Sequence, residues 1–130
     1  MANIIGTGID VIEVARIERA LSRPRSGERF RARVYTPGEI EYCESRGKPR
    51  FQSYAARFAA KEATMKALGT GWNRNIGWGE IEVVRRRGSA PTIVLSGKAE
   101  AFAARKSVRI FHLSITHTAK EAIAHVIAEG

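Results

Sequence analysis

Apolar positions in this chain repeat with two periods, and the switches between them mark out the elements. Residues 3–11, NIIGTGIDV, are nearly all apolar or small and predict a strand, inside which Gly6 and Gly8 signal a bulge or the close approach of another group. Residues 13–21, EVARIERAL, change to helical spacing, with Val14, Ile17 and Leu21 on one side and Arg16, Glu18 and Arg19 elsewhere. The stretch 22–39 is basic and broken by Pro24, Gly27, Pro37 and Gly38, so it predicts a loop region with at most one helical turn. A short helix follows over 36–47, with Thr36 as its N-cap and Gly47 closing it. A long helix runs over 51–68 and stops at Gly69, the residue type that tolerates a left-handed backbone. Strands at 80–86 and 91–96 are joined by the turn RGSA, a helix covers 97–107, and the apolar runs 109–118 and 121–129 form a C-terminal hairpin. The expected class is α+β, a mostly antiparallel sheet packed on a long central helix, in a single domain spanning 1–130.

The central helix carries the strongest signal. At about 100° per residue, Tyr54, Phe58, Met65 and Leu68 form one stripe, while Ala56, Ala59, Ala60, Ala63 and Ala67 form the opposite one. Both faces call for neighbours, and the alanine face allows a second backbone to come close. Yet Arg57, Lys61, Glu62 and Lys66 lie inside this pattern. Glu62 and Lys66 could be an ordinary surface pair at i,i+4 spacing. Removing a lone charge from water costs several kcal/mol, however, which favours charges that line a cleft. Three cations and one carboxylate suit a phosphate together with a divalent metal.

Asp10 has two readings as well. It could cap the following helix, with Glu13 completing a capping box. Alternatively, a carboxylate at the end of a glycine-bearing strand could meet Glu62 across a cleft, the two hard oxygen ligands of a Mg²⁺ site of the kind used in phosphate chemistry.

Composition narrows the field. With 44% hydrophobic residues the 130-residue chain has material for a real core. Its apolar runs fall short of a membrane span, and its start lacks a basic leader. Cys43 is the only cysteine, which excludes an intrachain disulfide and suits a reducing cytoplasm. Lys and Arg outnumber Asp and Glu by 22 to 13, a net charge of +9, so an anionic partner is expected. An RNA-binding module would share that charge, but no aromatic-bearing strand motif, helix-turn-helix or glycine clamp is present, and Glu62 would repel nucleic acid.

The segments GTGIDVIEVARI, RFAAKEATMKALGTG and LSITHT resemble, in order and spacing, the three motifs of the small 4′-phosphopantetheinyl transferase family of holo-[acyl-carrier-protein] synthases. The resemblance covers essentially the whole chain. It implies a cytoplasmic, Mg²⁺-dependent homotrimer, acting in fatty acid biosynthesis, that moves the 4′-phosphopantetheine arm of coenzyme A to a serine of apo-acyl carrier protein and releases adenosine 3′,5′-bisphosphate. By matching position it makes Asp10 and Glu62 the metal ligands and Lys66 a phosphate contact, either clamp or base. It further implies that Lys61 and Arg57 neutralise phosphates, that Gly69, Thr70 and Gly71 let backbone approach the cofactor, and that His117 and Thr118 belong to the coenzyme A pocket. Arg16 matches a carrier-docking arginine, with Arg19, Arg23, Arg25 and Arg29 as possible helpers. His117 also has a structural alternative as a strand residue, and Trp72 and Trp78 read as packing groups. Two departures stand out: Ala90 where a lysine is common before the proline, and Thr116 where serine is usual.

Overall fold

The computed structural model describes residues 3–70 and 76–130. Strand β1 (Ile4–Glu13) leads into helices α1 (Val14–Ser22), α2 (Ser26–Val34), α3 (Pro37–Glu44) and the long α4 (Arg50–Leu68). After a 3₁₀ turn at Trp78–Glu80 come β2 (Ile81–Val84), β3 (Thr92–Leu95), α5 (Gly97–Arg105), β4 (Ile110–His117) and β5 (Glu121–Glu129). The main sheet is antiparallel with order β1-β5-β4, and β2 and β3 form a separate antiparallel pair. This is the expected α+β class.

Helix α4 lies across the main sheet because both surfaces are small. Ala122, Ala124, Val126 and Ala128 line the inner face of β5, and Ala59, Ala60, Ala63 and Ala67 line the facing side of α4, all buried. Gly6 and Gly8 complete the fit: a Cβ on Gly6 would run into the carbonyl oxygen of Ala67, and one on Gly8 into that of Ala63. The glycines expected to mark a close approach therefore admit the backbone of α4 itself. Gly69 ends the helix with φ of 76°, the left-handed conformation expected of it.

Two expectations about the first third are corrected. Residues 26–34 are helical, because Phe30 and Val34 lie one turn apart and turn inward, Val34 being buried and Phe30 packing against Tyr35 and Phe58. Gly27, itself buried, lets α2 sit against the main chain of Leu21. The second correction concerns Asp10. Strand β1 continues through it to Glu13, which occupies the N-cap of α1 without a side-chain capping bond, so Asp10 caps nothing. Thr36 does cap α3: its hydroxyl accepts from the Glu39 amide while Glu39 accepts from the Thr36 amide.

Candidate active site

Asp10 sits on the inner face of β1, opposite Ala124 of β5, two residues beyond Gly8. Because Gly8 seats α4 at Ala63, the carboxylate comes to lie beside the helix's C-terminal half. There the Lys66 ammonium donates to Asp10 Oδ1 at 3.1 Å and to the Ile9 carbonyl oxygen at 2.9 Å. Glu62, one turn earlier on α4, is half-buried. Burial and the nearby Asp10 charge push its carboxyl above the ordinary glutamate value, against the pull of Lys66 and Arg16. Three residues from the first and second motifs thus converge at the β1 edge of the sheet, with Arg16 exposed on α1 close enough to be felt there.

A second group forms about two and a half turns of α4 away. Arg57 is only 5% exposed, its guanidinium lies 4.1 Å above the Tyr42 ring, and its Nε has no hydrogen-bond partner among the described residues. It borders a cleft of about 370 Å³ that Arg46, Arg85, Ala90, Pro91 and His117 also line. His117 ends β4, the opposite sheet edge from β1. A buried guanidinium with an unspent donor, among two further arginines and a histidine, is an anion site by its chemistry. Ala90 lies in this same cleft, with the side chains of Arg46 and Arg85 among its other lining groups. Neither arginine stood out in the sequence, since each belongs to an ordinary basic stretch.

Lys61 belongs to neither group, which corrects its expected role as a phosphate neutraliser. It is fully buried and ion-paired with Glu39 at 2.8 Å, and it also donates to the carbonyl oxygens of Trp78 and Ile81. Glu39 in turn accepts from the Val83 amide at 2.7 Å. All three ammonium protons have acceptors inside the protein, so none faces a ligand. The sequence signal was available in the TPGE capping box, whose Glu39 needs a cation once it is buried. Thr118 uses its hydroxyl to accept from the Lys120 and Glu121 amides, closing the β4–β5 turn. The Thr70 amide donates to the Met65 carbonyl oxygen at the end of α4, while Gly71 and Trp72 lie outside the described residues. Trp78 stacks on Phe58 at 5.0 Å, a packing group as expected. Cys43 is buried with its thiol pushed up to about 12, chiefly by burial, which disfavours the thiolate.

Comparison with known proteins gives this arrangement a class. The family model "4′-phosphopantetheinyl transferase superfamily" matches residues 6–124, and the chain belongs to that family. Within it, the chain is 50% identical over 127 residues to the holo-[acyl-carrier-protein] synthase of Solibacter usitatus, covering 98% of this chain and 99% of the relative. The crystal structure of the Neisseria meningitidis holo-[acyl-carrier-protein] synthase superposes with a TM-score of 0.87 at 29% identity, covering 98% of this chain and all of that one. The Helicobacter pylori enzyme, solved in complex with coenzyme A, gives 0.81 at 33% identity over 94% of this chain and 98% of that one.

Proposed function

We propose that this chain is a single-domain holo-[acyl-carrier-protein] synthase, transferring the 4′-phosphopantetheine arm of coenzyme A to a serine of an acidic apo-acyl carrier protein of fatty acid synthesis. The convergence of Asp10, Glu62 and Lys66 carries the reading. The serine hydroxyl gives its proton to water as its oxygen bonds to the phosphorus that bears the arm, the bond from that phosphorus to the leaving oxygen breaks, and adenosine 3′,5′-bisphosphate departs. Negative charge must be held at both oxygens.

The residues fit a divalent ion. Asp10 and Glu62 are hard oxygen donors whose like charges already work against each other, and no cluster of three or more His, Cys, Asp or Glu side chains that could hold a metal occurs among the described residues. Such a pair suits Mg²⁺, which keeps several waters and takes substrate oxygens to complete its shell. When bound there, Mg²⁺ would supply charge neutralisation at the diphosphate. Lys66, whose side chain reaches Asp10 from α4, suits a phosphate contact beside the two carboxylates. Arg57 and His117, with Arg46 and Arg85, offer the second anion site for the remaining phosphate of the cofactor. Exposed Arg16 suits the acidic carrier beside the reacting centre.

We assign the protein to the cytoplasm, which its single unpaired and buried cysteine suits, and to a homotrimer. Support for self-association is the outer face of the main sheet, where Ile4, Ile9, Val11 and Ile110 are each at least 50% exposed. The test of function is direct. Incubation with coenzyme A, Mg²⁺ and apo-carrier should add the phosphopantetheine arm to the carrier, read by mass spectrometry, and chelator should abolish it. Glu62→Gln should slow transfer by at least about 100-fold with its circular dichroism unchanged. Transfer at the normal rate by that variant would refute the assignment.

A further inference from the structure

Lys66 is seated on the carboxylate that the proposed function gives to the divalent ion. Its ammonium has two bonds to β1, one to Asp10 Oδ1 at 3.1 Å and one to the Ile9 carbonyl oxygen at 2.9 Å. The Asp10 side chain is 15% exposed, so it has little water to share its charge with, and the charge of Glu62 stands beside it. One lysine therefore serves two carboxylates. The Lys66 side chain is itself 51% exposed, and its four-carbon stem is free to swing into solvent without any shift of α4.

We infer that Lys66 and the divalent cation compete for Asp10, so that Lys66 leaves its seat on β1 when the ion takes that carboxylate, and only then carries its charge to the diphosphate of the cofactor. The inference rests on the proposed function for the identity of ion and substrate. Its physical basis is that Asp10 Oδ1 cannot serve both cations at full strength. Lys66 also loses little on leaving, because half of its side chain is already in water and the Ile9 carbonyl is a neutral acceptor. Lys66 thus keeps the two carboxylates apart from solvent cations until a divalent ion of higher charge displaces it. The same movement delivers the ammonium toward the phosphoryl oxygens, coupling metal loading to readiness for transfer.

The experiment is a titration with Mn²⁺, read by electron paramagnetic resonance, on the wild-type chain, Lys66→Met and Arg16→Gln, all without coenzyme A. Lys66→Met should bind Mn²⁺ about tenfold tighter, because a charge-assisted bond to Asp10 no longer has to be broken. Arg16→Gln removes the same charge without touching Asp10 and should change affinity by less than about threefold, solvent and salt screening the rest. A second readout does not depend on any variant. Acetylation of Lys66 by a soluble reagent, followed by peptide mass spectrometry with Lys48 as internal reference, should quicken when Mg²⁺ is added. Equal or weaker Mn²⁺ binding by Lys66→Met, equal tightening in both variants, or an unchanged acetylation rate would each overturn the competition. A wild-type chain that binds no Mn²⁺ would overturn both this inference and the metal-dependent function beneath it, whereas wild-type binding with no gain in Lys66→Met strikes the inference alone.

Discussion

Helix α4 makes the same pairing twice, and the two copies do opposite jobs. Lys61 meets Glu39 at 2.8 Å with neither side chain exposed at all, whereas Lys66 meets Asp10 at 3.1 Å with 51% and 15% of the side chains exposed. Around the first pair, donors and acceptors are matched inside the protein: Lys61 to Trp78 and Ile81, Glu39 to Thr36 and Val83. The pair ties α3, α4, the 3₁₀ turn and β2 into one body. Around the second pair, Glu62 carries a like charge and water is at hand. Burial decides the difference: a dry pair cannot exchange partners without leaving a charge uncompensated, and a wet one can. The proposed function draws on the exchangeable pair, while the fixed one nearby holds α4 against α3 and β2.

Breaking the dry pair should have the largest effect. Glu39→Ala leaves the buried Lys61 without its counter-charge and deprives the Val83 amide of its acceptor, so unfolding in urea should show a loss of about 3–5 kcal/mol. Adding Lys61→Met to that variant should recover part of the loss by removing the stranded charge. A loss under about 1 kcal/mol for Glu39→Ala would mean that the buried pair is no clamp, and the contrast between the two lysines would fail.

The wet pair should contribute far less to folding. Lys66→Met removes an ion pair that is half in solvent, and its cost in a thermal melt should stay below about 1 kcal/mol, even though the same variant is expected to lose transfer activity. A loss comparable with that of Glu39→Ala would make Lys66 a structural residue.

The contrast also marks what could be read from the chain beforehand. The apolar periods gave the strand, the long helix and the hairpin, because Gly6, Gly8 and the alanine stripe of α4 state their packing in residue size alone. Asp10, Glu62 and Lys66 were singled out by their motifs, and the fold brings the three together. Lys61 was misread because its neighbour in the same motif, Glu62, faces the site, and a helical wheel shows where a side chain points but not what it meets there. Its partner Glu39 came from a segment read only as a short capped helix, 22 positions earlier. Helix α2 was missed for a related reason: its two inward apolar residues, Phe30 and Val34, are diluted among arginines that solvate its other side. Arg46 and Arg85 join Arg57 only through the packing of α3 and the β2–β3 pair around α4, a tertiary fact that no local pattern holds.

The smallest effect sharpens the comparison most, because it has the opposite sign. Burial and the Asp10 charge raise the Glu62 carboxyl above the ordinary value of 4.5 in the folded chain. Between the unfolded and the folded value the native state therefore holds a proton that the unfolded state has lost, so stability falls as pH rises through that window and stays lower above it. Glu62→Gln never ionises and should escape this loss. It should melt slightly higher than the wild-type chain at pH 7, and the difference should vanish as pH falls below the ordinary value. Because Glu62 is half in solvent, the gain should remain under about 1 kcal/mol. Saturating Mg²⁺ should then raise the melting temperature of the wild-type chain and leave that of the variant nearly unchanged, since only an ion held by the native state shifts the balance. The measurement is a set of calorimetric melts from pH 4 to pH 8, with and without Mg²⁺ (a range on the order of 4 units, spanning the carboxylate window). A variant less stable than wild type at pH 7, or a difference independent of pH, would show that Asp10 and Glu62 do not oppose one another, and the case for two carboxylates waiting on a cation would go with it.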